Sequence, residues 1–203
     1  MLINLIHNIF SLITIELFLL SAALFISGLF ISIYVAKKEI KWLCWYPIWI
    51  WKKLKYFLEK QPSFSKLFLL IFVLNSTSLF FNLISGFGIV LPIVFAVLSG
   101  IHVGIIVYKE GGITAFISMF FTPNAIFELP AAWLSISLGI RLGLEIIAPI
   151  NEVASIFSQC IIIYLCVILP LLLIAALLES ALIYVSIKKL QHTTSFPQEP
   201  FDT

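Results

Sequence analysis

Three ionisable residues, Glu128, Arg141 and Glu145, stand with Pro123 and Pro130 inside a stretch that is otherwise apolar enough to sit in a bilayer. A charged side chain near the bilayer centre costs roughly 2.5–3.5 kcal/mol on insertion scales, so such groups need internal partners or a water-filled cavity. Arg141 and Glu145 are one helical turn apart, which makes an ion pair between them natural. Glu128, Glu16 and Glu179 have no such local partner. They either meet groups on other helices or are neutralised, and ion or proton handling is the sharper alternative. Asn75, Ser78, Asn82 and Ser85 fall on one helical face. Polar amides in lipid must find partners, so this face should look inward, fixing packing or lining a cavity.

Other chemistry is missing. His7, His102 and His192 are scattered without ligand spacing, so no metal and no cofactor is expected. Cys44, Cys160 and Cys166 suggest no disulfide framework. No sequence motif assembles a nucleophile with a base, so the chain reads as a non-enzyme.

The elements that hold these residues are membrane spans. The chain is 62% hydrophobic and 11% charged, with mean hydropathy +1.14, whereas soluble domains carry about 25% charged residues. An all-α membrane protein follows, with about five spans of about 20 residues. They are expected from about Asn8 to Tyr34, Leu67 to Ser85, Phe87 to Val107, Pro123 to Ile147 and Ile156 to Ile187. Residues 1–190 form one polytopic domain in this reading, and the polar tail 191–203 is disordered. Ile113–Phe121 is apolar but too short to cross, and should lie in the interface or dip in as a re-entrant piece. Thr122 and Pro123 read as the start of the fourth span. Pro130 is expected to bend or restart it beside Glu128, as in transporters with broken helices. Pro170 frees the Cys166 carbonyl in the last span.

Every lysine falls on one side of a five-span arrangement, which puts the N-terminus outside and the C-terminus in the cytoplasm of a cell membrane. The 37–66 connection interleaves lysines with Trp42, Trp45, Trp49 and Trp51. It reads as an interfacial helix, broken at Pro47, with rings at the boundary and ammonium groups on anionic lipid. The bilayer is the expected partner, and nucleic acid is not. Small residues recur every four positions as Pro92, Ala96, Gly100 and Gly104, and again as Ala131, Ser135, Gly139 and Gly143. Gly28, Ser32 and Ala36 repeat the pattern more briefly. Such stripes let backbones approach closely, on each other, on a third helix or across a homodimer axis.

Four blocks resemble the stage II sporulation protein M family. They are Phe72-Val-Leu-Asn75-Ser with Gly86, Val97-Leu-Ser-Gly100-Ile-His-Val-Gly104, and Asn124-Ala-Ile-Phe-Glu128-Leu-Pro130-Ala with Leu138-Gly-Ile-Arg141-Leu-Gly143. The fourth is Ala175-Ala-Leu-Leu-Glu179. The third is similar to the family's pattern His-Gly-x-x-Glu-Leu-Pro-Ala, with Asn124-Ala125 in place of His-Gly. The resemblance covers roughly Leu67 to Ile187 and implies a membrane anchor, since the family's named member holds a peptidoglycan-degrading complex at the septal membrane. The sequence therefore leans towards a scaffold, with a small transporter or channel built on Glu128, Arg141 and Glu145 as the alternative.

Overall fold

A computed structural model describes residues 12–148 and 152–194, with side chains to residue 189. The described residues form helices and turns, with no strand. Helix α1 spans Ile15–Lys38, α2 Lys41–Glu59, α3 Phe64–Ile84, α4 Leu91–Ser118, α5 Ala125–Ile146, α6 Val153–Ile163 and α7 Leu169–Thr194. A short 3₁₀ turn, Ser85–Gly88, follows α3, and a π turn, Tyr164–Ile168, joins α6 to α7. Five stretches are long and apolar enough to cross a membrane, the last being α6 and α7 together.

Their directions alternate along the chain. Gly28 meets Val97 and Ile101, Ser32 meets Gly104, and Glu39 pairs with Lys109, so α1 and α4 run parallel. The α5 positions Ser135, Gly139 and Gly143 meet Leu79, Asn82 and Ile89 in turn, so α5 follows α3. Ring contacts Phe87–Phe157, Phe80–Tyr164 and Phe64–Tyr184 set α6 and α7 antiparallel to α3. The pairs Lys55–Glu110 and Lys109–Glu39, and Lys188 over Tyr184, gather the lysine-bearing ends at one end of the bundle. That this end faces the cytoplasm is the expectation from lysine asymmetry.

Both long stripes are used within the chain. A Cβ on Gly100 would overlap the Phe25 carbonyl, and one on Gly28 the Val97 carbonyl. A Cβ on Gly139 would lie 2.5 Å from the Asn82 carbonyl oxygen, and one on Gly143 2.8 Å from that of Ile89. Dispersion and polar contacts hold helices together in lipid, and close approach strengthens both. Leu29, Ala96 and Ile136 are fully buried around the first contact, and Leu83, Leu138 and Leu142 around the second. Helix α5 contributes to two of the three apolar clusters, and the third lies between α1, α2 and α4.

Two side chains tie α3 into the bundle through its backbone. Ser135 Oγ donates to the Leu79 carbonyl, and Tyr164 Oη donates to the Ser76 carbonyl at 2.6 Å. Each such bond is worth about 0.6 kcal/mol on average in membrane bundles, up to about 1.7. Tyr164→Phe should therefore lower the thermal midpoint in detergent slightly, and Ser135→Ala similarly. A loss above about 2 kcal/mol for either would mean that packing, rather than the bond, is being disturbed.

The break at Pro47, the helix start at Pro123 and the restart at Pro130 need correction. Helix α2 runs through Pro47 unbroken, with the ring fully buried beneath it. Helix α5 begins at Ala125 rather than Pro123, after an extended Thr122, and continues through Pro130 without a restart. Each ring stands within the first two turns, where it removes one hydrogen bond and the rest of the helix continues past it. At Pro170 the chain widens instead. The π turn just before it, closed by Leu169 N–H donating to the Tyr164 carbonyl, takes up the mismatch.

The break falls upstream of Pro123. Gly111 (φ −143°) and Gly112 (φ 62°, ψ −151°) leave helical geometry inside α4, and the second is a conformation that favours glycine. Lys109 reaches Glu39 at the end of α1, yet the Phe116 ring meets that of Phe30 at a tilt, nine residues back along α1. Met119 and Phe120 continue into the cluster around Phe25. The Ile113–Phe121 piece thus folds back into the bundle. The helix α7 also extends to Thr194, past the expected start of the tail; residues 1–11, 149–151 and 195–203 lie outside the described residues.

Candidate functional site: a polar cavity inside the bundle

The fold-back delivers the start of α5 into the bundle interior, where it closes a cavity of about 310 Å³. Helix α3 contributes Asn75, Ser78 and Asn82, spaced three and four apart so that all reach one side. Helix α4 contributes Ser99, the turn before α5 Thr122 and Asn124, α5 Glu128, and α7 Glu179. Phe25, Leu129 and Leu172 supply apolar walls.

Glu128 stands in the first turn of α5, where the unpaired N–H groups of the helix end favour a negative charge. Asn124 Nδ2 donates to its Oε2 at 3.4 Å, one turn away. Asn82 is 4% exposed and lines the same cavity from α3. Two carboxylates beside one cavity repel each other, and a bound proton or cation relieves that repulsion. Amide and hydroxyl oxygens next to carboxylates suit an ammonium group or a hard cation. About ten waters would fill the volume, which is the low end for small-molecule sites.

The structure therefore brings Glu128, Glu179, Asn75 and Asn82 together. Arg141 and Glu145 stand elsewhere: thirteen residues along a helix separate Glu128 from Arg141 by about 20 Å. There Arg141 Nη2 lies 3.8 Å from Glu145 Oε2, and the Glu152 backbone N–H donates to Glu145 Oε1 at 3.4 Å. Glu145 thus links Arg141 on α5 to Glu152 at the start of α6. Glu16 is exposed in the first turn of α1, and Ser85 donates to the Asn82 carbonyl rather than facing the cavity. Ser99, Thr122 and Asn124 are lining groups that the motif reading did not assign to the site. The i,i+4 spacing of Asn124 and Glu128 was the available signal.

At the other polar feature, Trp42, Trp45 and Trp49 are exposed on α2, whereas Trp51 is half-buried and donates from Nε1 to Glu110 Oε1 at 2.5 Å. Cys44 and Pro47 form the buried face of α2 against α1 and α4.

Helices crossing in alternate directions around a polar interior define a multi-pass helical membrane protein. The family model for Stage II sporulation protein M matches residues 17–182, which hold all the cavity residues named above, and the chain belongs to that family. No curated protein and no solved structure matches it.

Proposed function

We propose that this is a non-enzymatic membrane protein whose working part is the intramembrane cavity, and that it binds and passes a proton or a small cationic solute. The observation that carries this reading is the convergence of Glu128 and Glu179 with Asn75 and the buried Asn82 on one cavity. The fold-back before α5 is what places Glu128 beside the cavity rather than at the bundle surface. In proteoliposomes, a pH or potential gradient should drive proton or monovalent-cation flux through the wild type, and Glu128→Gln should abolish it while the protein still folds. An amide is far easier to bury than a carboxylate and keeps the Asn124 contact. Absence of flux in the wild type, or unchanged flux in the variant, removes the reading.

Family membership favours a second reading, a scaffold that anchors envelope proteins. Under it the cavity is only packing and Glu128→Gln leaves partner recruitment intact. The glycine stripes, which first suggested a homodimer, are occupied inside the chain, so such a dimer would use another face.

A further inference from the structure

We propose that the corner where α1, α2 and α4 meet binds the phosphate of one anionic phospholipid. An open cleft there is lined by Lys38 at the end of α1, Lys41 and Lys52 on α2, and Lys109 on α4. These four ammonium groups face one carboxylate, Glu39, which lies 3.2 Å from Lys109. The excess is cationic, and it comes from three separate helices rather than from a diffuse run along one. Glu39 adopts a left-handed turn (φ 51°, ψ 44°) that swings α2 back over the cleft. The first turn of α2 has no side-chain cap and no acidic residue, so its positive end adds to the same field.

The wall of the cleft indicates why the ligand is a lipid. Trp45 and Trp49 stack with ring centroids 6.3 Å apart and are 68% and 44% exposed, with Lys53 over the Trp49 ring at 3.8 Å. Exposed stacked indoles beside lysines match the headgroup boundary, where rings meet acyl chains and ammonium groups meet phosphate. A soluble phosphate would gain nothing from the rings. The buried face of α2, with Cys44 5% exposed and bonded to the Val35 carbonyl at 3.8 Å, fixes the helix against α1. The cleft is therefore held before any lipid arrives.

Native mass spectrometry of the purified protein tests this, in detergent containing equal amounts of phosphatidylglycerol and phosphatidylcholine with matched chains. The wild type should retain one phosphatidylglycerol in preference by about tenfold or more, given about 1 kcal/mol per lysine at such a surface. Lys41→Gln/Lys52→Gln/Lys109→Gln should fall to parity. The Lys60→Gln/Lys66→Gln control, outside the cleft, should keep the preference, and Lys41→Arg/Lys52→Arg should keep most of it. Parity in the wild type overturns the proposal, as does equal loss in the control, which would mean diffuse attraction. A second arm adds inorganic phosphate alone. Displacement of the lipid by millimolar phosphate would make the ligand a soluble anion and overturn the lipid assignment.

Discussion

Gly100→Leu should destroy the fold in mild detergent, while Val94→Leu on the same helix leaves the melting midpoint nearly unchanged. The three atoms nearest a Cβ at position 100 are all backbone: the Phe25 carbonyl oxygen, the Leu29 nitrogen at 2.9 Å and the Gly28 Cα at 3.1 Å. Backbone cannot rotate aside, so α1 and α4 must separate along their whole contact. Separation opens the packing of Leu29 and Ile105, both fully buried, and forfeits their dispersion contacts. Overpacking a core typically costs 1–3 kcal/mol, and more where the obstacle is rigid, so a loss of about 3 kcal/mol or more is expected. Gly104→Ala meets a side chain, Ser32, and should cost less. Val94 is 43% exposed and its enlargement touches little. The measurement is a thermal or SDS unfolding midpoint for the four proteins. Similar midpoints for Gly100→Leu and Val94→Leu would sink the claim that close backbone approach holds α1 to α4.

Those glycines illustrate what the sequence could and could not carry. Their period of four revealed a smooth surface, because small side chains on one helical face need no further information. What lies opposite depends on which spans become neighbours, and α1 meets α4 with two helices intervening in the chain. The spans themselves were legible for an equally simple reason, the thickness of hydrocarbon. Prolines misled. Pro47 and Pro130 carry a strong local signal for a break, yet near a helix start the lost bond is single and tertiary packing overrides it. The true break at Gly111-Gly112 has no comparable signal, since glycines are common in membrane helices.

The cavity shows the same division between local and distant information. Glu128 and Arg141 looked like one cluster because they are near in sequence, but a helix carries them to opposite ends of a span. Glu179, fifty-one residues beyond Glu128, arrives at the cavity only because α7 returns antiparallel to α3. The polar face Asn75, Ser78 and Asn82 was readable from spacing; the partner it faces was not.

Removing either cavity carboxylate should make the protein more stable. Glu128 and Glu179 line one space whose other lining groups carry no positive charge. Like charges held together in a region of low dielectric repel, and neutralising one of them removes that repulsion. Glu128→Gln and Glu179→Gln should each raise the unfolding free energy by about 1–3 kcal/mol in detergent at neutral pH. The double variant should gain little beyond either single one, because the repulsion disappears with the first charge. A thermodynamic cycle over the four proteins measures that coupling directly. Destabilisation by both single variants, with an additive double, would mean that each carboxylate is satisfied by its own neighbours and that the cavity stores no unfavourable charge. The expected coupling has a functional consequence: a site that destabilises its own fold when empty is one that a proton or cation stabilises on binding. Adding a monovalent cation should then raise the wild-type midpoint and leave the double variant unmoved.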